Sequence, residues 1–260
     1  GFKYLDQMTS GLQKSDLIIL AARPAMGKTA FALSLALNAA VKGKASVMVF
    51  SMEMAKEQLG QRLLSMESKV PMQSLKTGKL ERRDWDDINI ALDILSKANI
   101  HIDDTAGINI MEMKSKCRRL KAEEGLDLIV IDYLQLMNPE GKADSRTQEI
   151  SVISRNLKLL AKELNCPVLV LSQLSRAPET RTDHRPMLSD LRESGSIEQD
   201  ADIVIFLYRD EYYNEDSEAH GECEVIVAKQ RSGPTGTVKI TWLDKLTKFV
   251  DSMGSSGPGF

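Results

Sequence analysis

The stretch Leu17-Ile18-Ile19-Leu20-Ala21-Ala22-Arg23-Pro24-Ala25-Met26-Gly27-Lys28-Thr29 passes from an unbroken apolar run into Gly-Lys-Thr at the head of a helical pattern. Apolar residues that do not alternate with polar ones mark a strand covered on both faces. Strand, tight turn and helix are the setting that a phosphate-binding loop requires. Backbone amides from Ala25 and Met26 through Gly27 to Ala30 can wrap a phosphate, and the helix dipole favours negative charge there. Lys28 can reach β- and γ-phosphate oxygens, and the Thr29 hydroxyl suits Mg²⁺. Ala22 stands where the common pattern has its first glycine, and a methyl there restricts a turn. The bland alternative is a chance Gly-Lys-Thr at a helix start.

Outward from this stretch, further apolar runs alternate with helical segments. Val47-Met48-Val49-Phe50, Leu128-Ile129-Val130-Ile131, Val168-Leu169-Val170-Leu171 and Ile203-Val204-Ile205-Phe206 are short and continuous. Ile150, Ile153, Leu157, Leu160 and Leu164 form a stripe at helical spacing, as do Ile110, Met113, Cys117 and Leu120 behind an Asn109/Glu112 capping box. Residues 28–41 are apolar nearly all round, which predicts a buried helix capped by Gly43. The alternation predicts an α/β fold, a mostly parallel sheet flanked by helices, with ligands at the carboxyl ends of the strands. Runs at 224–228, 238–242 and 248–250, with Gly233-Pro234 and Gly236 between the first two, predict a C-terminal β-hairpin extension. The polar stretches 138–147 and 175–189 are long enough to suggest functional loops or disorder. Residues 252–260 read as a flexible Gly/Ser-rich tail.

Composition narrows the function classes. The chain has 260 residues, 42% hydrophobic and 27% charged, with a net charge of −3, so it can bury a core and is not disordered in bulk. No uncharged apolar run approaches the roughly 20 residues that span a bilayer, and the start is no signal peptide. Cys117, Cys166 and Cys223 lie far apart, which argues against zinc or a disulfide scaffold and fits a reducing cytoplasm. With no global excess of basic residues, nucleic-acid binding would need a local patch. The basic run from Lys114 to Lys121 reads as an exposed helix face.

Other residues at strand ends complete the candidates. Asp132 closes the run 128–131 and can hold Mg²⁺, or merely start a turn. Glu53 follows the strand ending at Phe50; it can activate water, or favour a helix's first turn. Gln173 can sense a γ-phosphate or be a solvated loop residue. Lys229 and Arg231, two apart in extended chain, face one side and suit a γ-phosphate, which can be a neighbour's, or a hairpin tip.

Taken together, the chain resembles the RecA-like motor domain of bacterial replicative DNA helicases, the DnaB family. The resemblance covers about residues 1–251 and is carried by six stretches in order. They are residues 21–32 (AARPAMGKTAFA), 50–54 (FSMEM), 131–136 (IDYLQL), 171–176 (LSQLSR), 190–202 (DLRESGSIEQDAD) and 228–234 (AKQRSGP). The family accepts alanine at position 22. The resemblance implies an ATP- and Mg²⁺-dependent helicase, a P-loop NTPase that moves 5′ to 3′ on single-stranded DNA as a homohexamer and unwinds the replication fork. It makes Glu53 the catalytic glutamate, Gln173 the γ-phosphate sensor, and Lys229 with Arg231 the pair acting on a neighbour's ATP. It puts Arg176, Arg192, Glu193 and Gly195 against the DNA backbone, and implies primase and helicase-loader partners and a place at replication forks. It also implies that the family's N-terminal primase-binding domain is absent from this chain. Two rivals share the P-loop: a filament-forming recombinase and a small-molecule phosphotransferase.

Overall fold

Leu17–Ala22 is buried at every position, because neighbouring strands flank both its edges and helices cover both its faces. The computed structural model describes residues 1–137 and 145–252, with Gln135 and residues 192–195 described in backbone alone. The strands are β1 (Leu17–Ala22), β2 (Val47–Ser51), β3 (Ile100–Asp103), β4 (Leu128–Asp132), β5 (Val168–Gln173), β6 (Ile203–Tyr208), β7 (Glu222–Gln230), β8 (Gly236–Leu243) and β9 (Lys248–Asp251). They form one sheet in the order β3-β2-β4-β5-β1-β6-β7-β8-β9. The first six in that order are parallel and the last three antiparallel. The expected hairpin extension therefore continues the main sheet.

The helices are α1 (Lys3–Thr9), α2 (Lys28–Leu37), α3 (Lys56–Ser68), α4 (Met72–Thr77), α5 (Arg82–Ser96), α6 (Ile110–Glu123), α7 (Arg146–Leu164) and α8 (Gly195–Asp200). The pleat of β1 divides the core in two. Ile18, Leu20 and Ala22 pack on the side of α1, α2 and α3. Leu17, Ile19 and Ala21 pack on the side of α6, α7 and α8. All five continuous runs form parallel strands, as a sheet buried on both faces demands.

Several expectations need correction. β3 has no continuous apolar run: Ile-His-Ile-Asp is a half-buried edge strand, so its pattern is diluted. α2 passes into a π-helical turn over Asn38–Lys42 before Gly43, whose φ of −85° is not the left-handed conformation of a glycine cap. Glycine is needed there for another reason, since a Cβ would meet the Ala39 carbonyl oxygen at 2.7 Å. Asn109 does cap α6 by accepting the Glu112 amide at 2.9 Å, but the Glu112 carboxylate pairs with Lys116 at 3.0 Å. The stretch 175–189 is folded, with a 3₁₀ turn at Ala177–Thr180 and His184 stacked on Tyr213 at 4.4 Å. Residues 138–144 of the other polar stretch, and 253–260 of the tail, lie outside the described residues. On the basic run of α6, Arg118, Arg119 and Lys121 are exposed as expected, and Lys114, Lys116 and Arg118 pair with Glu163, Asp103 and Glu112.

β9 closes the fold over α2. Phe249 is 1% exposed, meets Phe31 edge-on at 5.7 Å and Trp242 at 4.5 Å, and its amide donates to Ser34 Oγ. Phe249→Ala should cost about 3–5 kcal/mol by emptying this contact. Trp85→Ala on the exposed side of α5 should change stability by no more than about 0.5 kcal/mol. Urea unfolding of both variants checks the contrast.

Candidate functional site

The parallel register decides which strand ends meet. Ala22 lies opposite Gln173, and Ser51 lies opposite Asp132. The chain after β1, the turn after β2 and the ends of β4 and β5 therefore share one edge of the sheet. A cleft of about 340 Å³ opens there. Its lining includes Ala25, Gly27, Lys28, Thr29, Ala30, Glu53 and Gln173.

Ala22 is the last residue of β1 and sits in extended chain, so a methyl is no obstacle. The left-handed positions come later, at Ala25 (φ 63°) and Gly27 (φ 95°). Gly27 directly precedes α2, so the free amides of the first helical turn face the cleft. Met26 is 1% exposed and turns its side chain into the core, and it is not among the residues lining the cleft.

Thr29 Oγ1 donates to Asp132 Oδ2 at 2.7 Å. Asp132 is 3% exposed, and its second oxygen, Oδ1, is buried with no partner among the described residues. Burial pushes the Asp132 carboxyl above its usual range; the Thr29 hydrogen bond opposes this, the Glu53 charge adds to it, and Lys28 and Arg62 oppose it. Burial pulls the Lys28 ammonium down, against the attraction of Asp132 and Glu53. A hydroxyl beside an orphaned buried carboxylate oxygen is a hard-oxygen donor set, which fits a Mg²⁺ that takes its other ligands from phosphate and water. Among the described residues no group of three His, Cys, Asp or Glu forms a metal site. Glu53 is exposed in the turn between β2 and α3, ahead of the helix at Lys56. A helix-first-turn role for Glu53 is thereby removed.

The cleft also holds residues that strand-end reasoning missed. Arg62 enters from α3, and burial disfavours its charge while Asp132 and Glu53 favour it. Its signal was a cation three residues after Leu59, on the flank of the buried stripe Leu59-Leu63-Met66. The Tyr133 ring lies 5.8 Å from Lys28 Nζ. Trp242 and Thr247 line the wall on the side of the C-terminal strands, with the Arg209 guanidinium 5.0 Å from the Trp242 ring. No local motif marks these two, because the sheet brings them to the cleft from the far end of the chain.

Lys229 and Arg231 are not in the cleft. Gln230 pairs with Ile203 at the start of β6, and the Arg231 amide donates to Asp202 O at 3.0 Å. The pair therefore sits at the opposite edge of the sheet, the length of β1 away, about 17 Å at ~3.3 Å per residue. Lys229 Nζ donates to the carbonyls of Glu198 and Ala201. Arg231 donates to those of Gln199 and Ala201 and lies 3.4 Å from Asp202. Both cations do face one side, as their spacing predicts. Arg176 is exposed on the segment after β5. The Ser175 amide donates to Asp190 O at 3.2 Å, so that segment meets the 3₁₀ stretch Leu188–Ser194. The side chains of Arg192 and Glu193, and the surroundings of Gly195, lie outside what is described.

Gly27 tests this geometry. A Cβ there would meet the Phe249 ring at 2.9 Å in addition to the strained φ. Gly27→Ala should therefore destabilise the chain by about 1–3 kcal/mol, read as a lower urea midpoint.

Comparison with known proteins finds relatives along nearly the whole chain. The family model for the DnaB-like helicase C terminal domain matches residues 1–251. The chain is 56% identical to the replicative DNA helicase DnaB of Geobacillus stearothermophilus over 252 residues, 96% of this chain and 56% of that protein. It is 55% identical to the replicative DNA helicase DnaC of Bacillus subtilis (strain 168), with the same shares covered. The chain thus spans little more than half the length of these curated relatives. Among solved structures, one described as an ATPase domain superposes with a TM-score of 0.94 at 45% identity, covering 97% of this chain and 90% of that one. A DnaB-like replicative helicase, described with its interactions with primase, gives the same score and identity and covers 97% of this chain and 61% of that one. With the P-loop, the Thr29–Asp132 contact and the RecA-like sheet in place, this chain belongs to the DnaB-like helicase C-terminal domain family.

Proposed function

We propose that the chain is the ATP-hydrolysing motor of a replicative DNA helicase, with residues 1–251 as the motor domain and 252–260 as a tail. The observation that carries the reading is the convergence of Lys28, Thr29, Asp132, Glu53 and Gln173 on one cleft at the head of α2. The α2 amides and Lys28 bind the β- and γ-phosphates. Thr29 and Asp132 would hold Mg²⁺, which when bound neutralises charge on those phosphates. Glu53 takes a proton from the attacking water as its oxygen bonds to γ-phosphorus and the bond to the β–γ bridging oxygen breaks. Gln173 touches the γ-phosphate, Arg62 offsets the charge of the two carboxylates and the phosphates, and Trp242 offers a face for the base.

Lys229 and Arg231 would act on a neighbour's ATP. Their position at the far edge of the sheet supports supply in trans, since neither can reach its own P-loop. A homohexameric ring closes that head-to-tail contact. Arg176, Arg192, Glu193 and Gly195 would meet the backbone of single-stranded DNA, largely without regard to sequence. Movement 5′ to 3′, primase and loader partners, and work in the cytoplasm at the replication fork follow from the family reading. Among the described residues no helix is long and apolar enough to cross a membrane.

Steady-state ATP hydrolysis, measured over a range of protein concentrations with and without single-stranded DNA, tests the reading. Specific activity should rise with concentration and again with DNA. Activity blind to both would favour a phosphotransferase. Arg231→Ala should keep nucleotide binding and lose roughly 10³-fold or more of turnover, the usual worth of an arginine finger. Lys28→Ala should be inactive as well. A mixture of the two variants should regain part of the turnover, because some interfaces pair an intact P-loop with an intact finger. A mixture as dead as its components would remove the trans assignment.

A further inference from the structure

Arg23 lies in the phosphate-binding loop, yet its guanidinium turns away from the helix start. Nη1 donates to Leu174 O at 2.8 Å, while Nε and Nη2 donate to Glu179 Oε1 at 3.0 and 2.6 Å. The side chain is 11% exposed. The Leu174 amide in turn donates to Ala22 O at 3.3 Å. Both backbone polar groups of Leu174 are therefore tied to Ala22 and Arg23. Gln173 immediately precedes this tie, and Glu179 lies in the 3₁₀ turn that follows Arg176. The arc from Leu174 to Glu179 is pinned at both ends by one guanidinium, and exposed Arg176 sits between the pins. The guanidinium serves the two acceptors with three N–H groups fixed in one plane, a geometry that the single nitrogen of an ammonium does not reproduce.

We propose that Arg23 is a positioning residue that locks the phosphate-binding loop to the Arg176 arc, so that nucleotide at the cleft sets DNA affinity at the arc. This rests on the nucleotide and DNA reading given above. A shift of the loop against a γ-phosphate moves Leu174 and Glu179 with it, because both are tied to Ala22 and Arg23, and so carries Arg176 between them. The lock is a coupling free energy between two sites, and coupling is measured as a ratio of affinities.

The test is binding of a fluorescein-labelled oligo-dT to the chain by anisotropy, with and without a non-hydrolysable ATP analogue. Binding of the analogue itself is followed separately. In the unaltered chain the analogue should change DNA affinity by a factor in the range of about 5–150. Glu179→Gln and Arg23→Lys should bring that ratio to within about two-fold of one, the range of a lost coupling. A purely structural role would weaken DNA binding equally in both states and preserve the ratio. A preserved ratio in Glu179→Gln, or a ratio near one in the unaltered chain, overturns the proposal. Failure of the analogue or the oligonucleotide to bind at all would instead sink the functional reading, and the lock with it.

Discussion

The hydrogen bond from Thr29 to Asp132 spans two strands of the sheet. β5 lies between β1 and β4, so the two residues' strands stand roughly 9–10 Å apart at ~4.8 Å per step. The bond forms only because the loop after β1 leans across the end of β5. That lean needs the left-handed turns at Ala25 and Gly27. It also needs support behind Gly27, which comes from the Phe249 and Trp242 rings of β9 and β8. The loop between β1 and α2 is thus shaped by the other end of the chain. The rest of the cleft follows from the same register, since Gln173 ends β5, Glu53 follows β2 and Lys28 follows β1, and these ends line one edge with that of β4.

The two edges of the sheet carry different chemistry. One edge holds the buried carboxylate, the helix N-terminus and the cations Lys28 and Arg62. The other holds Lys229 and Arg231, their donors engaged on the carbonyls at the end of α8. An antiparallel turn at β7 causes this separation, because it returns the chain to the amino ends of the parallel strands. Under the proposed function a single chain holds a complete binding edge, with the residues that finish a neighbour's site on the opposite edge.

Much of this was legible in local pattern. The five continuous apolar runs became the five core parallel strands, and the stripe from Ile150 to Leu164 became the buried face of α7. Lys28, Thr29 and Asp132 were legible because each sits at a strand end or helix start within a few residues of its signal. β3 was not, because two of its four residues are polar and the strand lies half-buried at the edge. Arg62, Trp242 and Thr247 were not, because they reach the cleft from a helix face and from strands far along the chain.

The sequence by itself determined the five core parallel strands, the helices α2, α6 and α7, the turn between β1 and α2, and the family. Those depend on periodicity and on residues adjacent in the chain. Only the tertiary structure decided that Lys229 and Arg231 lie a strand's length from the P-loop, and that Arg23 faces Glu179 instead of the helix start. It also decided that Ala22 needs no glycine. Each of these depends on strand order, register and backbone dihedral, which join residues by position in the sheet and not by spacing in the chain.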